Sequence, residues 1–112
     1  MEPIPFLPQA HEITQWYGSR TEGTFNVYVI LLEGLPNNRY GLYVGQTWHP
    51  VAHRFEQHQS GGRLAARCHR KMKQLLPSLY GHFTPMSKEE SLDLEKSLII
   101  QFESAGIETK GG

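Results

Sequence analysis

Arg54 and His58 stand four residues apart in "HPVAHRFEQHQSGG". On a 3.6-residue helix they share one stripe with Val51 and Phe55, at spacings i, i+3, i+4 and i+7. That stripe should face the core, so its arginine and histidine need a reason. Glu95 poses the same problem on a later helix, where Leu92, Glu95, Leu98, Ile99 and Phe102 form the inner row. Tyr28 and Tyr43 come from two strand-like segments upstream. Together these five are the residue types that phosphodiester hydrolysis requires. A carboxylate can hold a divalent cation through oxygen. A guanidinium offers planar, bidentate donors to phosphate oxygens where negative charge builds. A tyrosine or histidine can position or deprotonate the attacking water. A phenol with its usual pKa of about 10 needs a nearby cation to serve as a base.

The elements that must position these residues are legible in outline. "TFNVYVILLEG" (Thr24 to Gly34) is rich in β-branched and aromatic residues, and a turn cluster, "GLPNN", stops it. "RYGLYVGQT" resumes strand character, so the two read as an antiparallel hairpin. Pairing Leu32 with Arg39 makes Tyr28 and Tyr43 direct cross-strand neighbours. Pro50 suits the first turn of a helix running to about Gln59 and ending at Ser60-Gly61-Gly62. A second helix is expected over 63–76, stopped by Pro77. "SLYGHFTP" reads either as a short third strand or as a helical turn. Ser87 and Glu90 form a capping box for the last helix, and Gly106 ends it. Residues 1–8, with three prolines, read as an extended arm, followed by a short helix over about 10–17.

Composition bounds the rest. The chain has 112 residues, 38% hydrophobic, enough for one domain with a modest core. No apolar run approaches the roughly 18 residues of a membrane-spanning helix. The start, "MEPIPFLPQAHE", lacks the basic and apolar regions of a signal peptide, so a cytoplasmic location is expected. Eleven basic residues balance eleven acidic ones. The stretch "RLAARCHRKMK", however, holds five Lys/Arg and no acid. Arg63, Arg67, Arg70 and Lys73 recur there at helical spacing as a candidate DNA-backbone face; the competing reading is a solvated surface. Arg54 and Glu95 could also form a purely structural ion pair, although apolar replacements of such pairs are often as stable. His49 and His53 have a metal-bridging spacing but no third ligand. The single cysteine, Cys68, has no catalytic signature around it.

The ordered set of residues resembles the GIY-YIG nucleases. Asn26-Val27-Tyr28 matches the first signature tripeptide, with Asn for Gly, and Tyr43-Val44-Gly45 the second. The family's arginine falls on Arg54, its histidine on His58 and its metal-binding glutamate on Glu95. The resemblance implies an α+β fold, a small three-stranded antiparallel sheet flanked by helices. It implies a domain over 24–112 preceded by the arm and short helix of 1–23. It also implies one Mg²⁺ (or Mn²⁺) at Glu95, water activation by Tyr28 or Tyr43 with His58, and phosphate stabilisation by Arg54. Three further features depart from the pattern, one being the third strand, which "SLYGHFTP" matches poorly and where two helices with a basic face fit as well. Thr109 stands in the stretch where many members carry an asparagine, and Gln46 follows the second motif where some carry lysine. The expected function is therefore a metal-dependent DNA endonuclease; the alternative is a non-catalytic nucleic-acid-binding module with a degenerate nuclease fold. No membrane partner is expected, and specificity must come from the basic segment, a homodimer or a partner protein.

Overall fold

A computed structural model describes residues 4–17, 23–62, 67–83 and 85–111. Its elements, in chain order, are α1 (Leu7–Thr14), β1 (Asn26–Glu33), β2 (Tyr40–Thr47), α2 (Val51–Ser60), a 3₁₀ turn (His69–Lys71), β3 (Met72–Leu75), α3 (Pro77–Tyr80), α4 (Lys88–Ser104) and β4 (Thr109–Gly111). The architecture is α+β, with helices flanking one sheet. That sheet has four strands in the order β3-β1-β2-β4, not the three expected.

The run "VYVILL" makes β1 a central strand. It pairs with β2 on one side and β3 on the other, and all six of those residues are buried. An apolar run with no polar alternation suits a strand covered on both faces. One face of the sheet, including Val27, Val29, Leu31, Leu42 and Val44, packs on Leu94, Leu98 and Phe102 of α4 and on Leu79 of α3. The opposite face, with Tyr28, Ile30, Leu32 and Tyr43, packs against Val51 and Phe55 of α2. The core is thus in two layers, and α2 lies over the tyrosines.

The hairpin register differs from the expected one by two residues. Leu32 faces Gly41, not Arg39, so Tyr28 faces Gly45 and Tyr43 faces Ile30. A shift of two preserves the face of every side chain, because the strand period is two. The tyrosines therefore still share a surface, as diagonal neighbours. Room explains the choice. Tyr28 lies over Gly45, where an added Cβ would meet its Oη at 2.5 Å and its Cζ at 2.6 Å. Leu35, buried against the same apolar cluster, folds the connecting loop inward.

The helix expected over 63–76 is not formed in its described part. Residues 69–71 make the 3₁₀ turn, and Met72–Leu75 is an edge strand on β1. Lys, Met, Gln and Leu are good helix formers, but the open edge of β1 offers backbone partners that override propensity. "SLYGHFTP" contains the short helix α3 rather than a strand. The helix α1 begins at Leu7, earlier than expected, with Pro8 in its first turn where a missing N–H costs nothing.

The last helix follows the sequence closely. Glu90 N–H donates to Ser87 Oγ at 3.1 Å, and Ser87 N–H donates to Glu90 Oε1 at 3.3 Å. At its end Gly106 takes φ 85°, Gly106 N–H donates to Glu103 O and Ile107 N–H to Phe102 O, each at 3.0 Å. Its inner row is Ser91, Leu94, Glu95, Leu98 and Phe102, whereas Leu92 is exposed. No helix among the described residues is long and apolar enough to cross a membrane.

Candidate active site

Tyr28 and Tyr43 reach the site from β1 and β2, with ring centroids 6.3 Å apart. His58, near the end of α2, stands against both. Its ring lies 5.4 Å from that of Tyr43 at a near-perpendicular 70°, and its Nε2 is hydrogen-bonded to the Tyr28 hydroxyl at 3.0 Å. The stripe on α2 behaves as its spacing required: His58 is fully buried, while Val51, Arg54 and Phe55 are half-buried. Arg54 Nη1 donates to Gln57 Oε1 at 3.1 Å, one turn further on, which aims the guanidinium.

Glu95 arrives from α4, on the other side of the sheet. A two-residue bridge fixes that helix to the start of β1: Phe25 N–H donates to Met86 O at 2.9 Å, and Met86 N–H donates to Phe25 O at 2.8 Å. Glu95 is only 6% exposed. Among the described residues its carboxyl has no hydrogen-bond or ion-pair partner, and no ion pair joins it to Arg54. Since no sealed polar atom among them lacks a partner, the carboxyl keeps some opening to solvent.

Tyr28, Tyr43, Arg54, His58 and Glu95 are close enough to influence one another's charge. Burial, then the neighbouring Tyr43, push the Tyr28 phenol well above its ordinary value, while Arg54 opposes and Glu95 adds to the rise. Burial, then Cys68, push Tyr43 up to about 12, again with Arg54 opposing and Glu95 adding. Burial, then Arg54 and His69, hold His58 down to about 4, so the imidazole is neutral near pH 7. Burial pushes Glu95 up to about 7, with Lys96 alone opposing. A histidine kept neutral against a phenol kept protonated forms a ready proton-transfer pair.

The outlying positions fall elsewhere. Arg63 lies outside the described residues. Arg67 and Arg70 are exposed, on the turn and the 3₁₀ segment after α2. Lys73 lies on β3 and pairs with Glu33 at 3.1 Å, so these cations do not share a helix face. Thr109 lies beside Leu42 on the α4 side of the sheet, and its hydroxyl donates to Ile107 O at 2.9 Å. Strand alternation gives the tyrosine face of β4 to Lys110, which pairs with Tyr43. The Lys110 side chain forms an ion pair with Glu108 at 3.4 Å. Gln46 is half-buried, and its Oε1 accepts from Ser91 Oγ at 3.4 Å. Among the described residues no three His, Cys, Asp or Glu converge as a metal cluster, His49 and His53 included. Burial raises the Cys68 thiol, away from the thiolate a nucleophile needs.

At the mouth of the cleft is a pocket of about 250 Å³, lined by Phe25, Gln46, Thr47, Trp48, His49, Arg54 and Gln57. Compared with known families, the chain matches the GIY-YIG catalytic domain over residues 24–108. No curated protein and no solved structure matches it. With most of its length covered by that match, the chain belongs to the GIY-YIG catalytic domain family, a nuclease family whose substrate is nucleic acid.

Proposed function

We propose that this protein is a divalent-metal-dependent DNA endonuclease that hydrolyses phosphodiesters at the cleft of Tyr28, Tyr43, Arg54, His58 and Glu95. The observation that carries the reading is the buried Tyr28–His58 hydrogen bond beside the unpaired Glu95 carboxyl. With the imidazole proton on Nδ1, the Tyr28 hydroxyl donates to His58 Nε2. A lone pair of its oxygen, near Arg54 and Tyr43, then accepts a proton from the attacking water. As water attacks phosphorus, its proton passes to Tyr28 Oη and the phenol proton passes to Nε2. The P–O bond opposite the water breaks, the leaving oxygen takes a proton from solvent, and His58 returns its own to solvent. No free phenolate forms, which suits a phenol whose pKa is raised. Arg54 donates to the non-bridging oxygens as charge builds there. Tyr43 packs edge-on against His58 and holds the ring in place.

Glu95 suits one Mg²⁺ or Mn²⁺. A lone, unpaired carboxylate without nitrogen or sulfur ligands matches a hard cation that keeps several waters and takes its other ligands from phosphate. When bound, the ion supplies charge stabilisation to the phosphate. Arg67 and Arg70, exposed next to the cleft-forming helix, carry the backbone of the DNA. The test is a panel of nicked, branched, single-stranded and duplex DNA, incubated with Mg²⁺ or Mn²⁺ and with EDTA. Metal-dependent cutting that Glu95→Gln abolishes is expected. Binding to the same DNA with no cutting under either metal would favour a binding module instead.

A further inference from the structure

Trp48 takes no part in the chemistry above, yet it stands 64% exposed immediately after the strand that carries Tyr43. A large apolar ring left in water at the edge of a cleft has no packing role to explain it. Nor is the ring loose. It stacks on His49 with centroids 4.0 Å apart and planes 31° apart. His49 in turn lies 5.2 Å from His53, whose Nε2 is 3.3 Å from the Gln57 amide, and Gln57 accepts the Arg54 guanidinium. The His49 N–H donates to Thr47 Oγ1 at 3.0 Å and fixes the turn. A continuous chain of contacts therefore sets the indole at a fixed position relative to Arg54. Between them lies the pocket of about 250 Å³, smaller than the roughly 300–1,000 Å³ that enclose whole drug-sized ligands.

We infer that this pocket holds one unpaired nucleobase, stacked on Trp48, next to the phosphate gripped by Arg54. The inference rests on the reading of the cleft as a nuclease site. Every base has a π-face, and an aromatic platform takes it without regard to sequence. A base inside a duplex has both faces covered by its neighbours, so only an extruded, terminal or single-stranded base can use the indole. Gln46 brings its side-chain amide to the pocket wall, where it can donate to or accept from a base edge. The substrate class that fits is DNA with an unpaired nucleotide at the cut: a flap, a gap or a single strand.

The chain has two tryptophans, so Trp16→Phe leaves Trp48 as the only indole reporter. In EDTA, this variant is titrated with a single-stranded oligonucleotide, the same strand carrying abasic sites, and a covalently closed duplex that has no terminal base. Quenching by the first alone is expected. Trp48→Ala should weaken binding of the single strand by about five- to a hundredfold, the loss of one base–aromatic stack, and Trp48→Phe should recover much of it. Equal quenching by the abasic strand, or unchanged binding by Trp48→Ala, overturns the inference. Cleavage by the wild-type protein is scored separately. Quenching without cleavage keeps the base pocket and removes the nuclease reading; cleavage without quenching does the reverse.

Discussion

The Tyr28 hydroxyl and His58 Nε2 meet at 3.0 Å in a fully buried position, joining the central strand of the sheet to the helix that covers it. Neither partner is an ordinary core residue: burial above all keeps the phenol protonated and the imidazole neutral. Tyr28→Phe keeps the ring and its packing but removes the proton path. Cleavage should fall by about 10²–10⁴-fold, the usual worth of a positioned acid–base group. Loss of one hydrogen bond should cost only about 0.5–1.5 kcal/mol, a few degrees in melting temperature. A variant that melts normally and cuts at the wild-type rate would remove Tyr28 from the mechanism.

Gly45 is the space that Tyr28 occupies. Gly45→Ala would place its Cβ within 2.5 Å of the phenol oxygen, so the ring must move and the bond to His58 must lengthen. Overpacking of this kind costs about 1–3 kcal/mol. The expected result is a small loss of stability together with a loss of cleavage comparable to that of Tyr28→Phe, with DNA binding in EDTA retained. Full activity in Gly45→Ala would show that the phenol position is not critical.

Without metal, Glu95 and His58 pull the pH dependence of stability in opposite directions. Glu95 titrates at about 7 in the folded chain against an ordinary 4.5. Folding therefore takes up its proton between those values, and the contribution, full below about pH 4.5, is lost as pH rises through 7. His58 titrates at about 4 against an ordinary 6.5. Its contribution is present above pH 6.5 and lost as pH falls through 4. Thermal melts in EDTA should show Glu95→Gln gaining on wild type as pH rises from 4.5 to 7, and His58→Gln gaining as pH falls from 6.5 to 4. Curves that stay parallel across pH would contradict both environments.

Metal addition should reverse the cost of the Glu95 charge. At pH 8 the wild-type melting temperature should climb with Mg²⁺, by about 2.7 kcal/mol of stabilisation at a hundredfold excess over Kd. Glu95→Gln should show no such rise. Protons and metal compete for the same carboxylate, so the acid limb of the cleavage profile should move to lower pH as Mg²⁺ is raised. An acid limb indifferent to metal concentration would place the titrating group elsewhere.

Arg67 and Arg70 differ from Lys73 in one respect: Glu33 already pairs with the lysine. Arg67→Glu and Arg70→Glu should each flatten the salt dependence of DNA binding by about one unit of slope, as each lost phosphate contact does. Lys73→Ala should change it little. An equal effect from all three would mean that the Glu33 pair opens on the DNA.

The sequence by itself determined the parts governed by local rules. The α2 stripe, the capping box of α4 and the tyrosine-bearing hairpin are each set by periodicity or by backbone donors within a few residues. That Arg54, His58 and Glu95 were misplaced for a simple core was legible for the same reason. Only tertiary structure decided the rest. The hairpin register depended on Tyr28 finding room over Gly45, a contact between strands that no single segment encodes. β3 and β4 exist because β1 and β2 present open edges, which outweigh the helical propensity of "KMKQLL" and give order to a three-residue tail. The same edges took Lys73 off the expected helix and placed Lys110, not Thr109, on the side of Tyr43. Last, whether Arg54 and Glu95 pair was decided by how α2 and α4 pack on the sheet, and among the described residues they form no ion pair. Charge alone cannot reveal this, because side chains distant in sequence meet only in the folded chain.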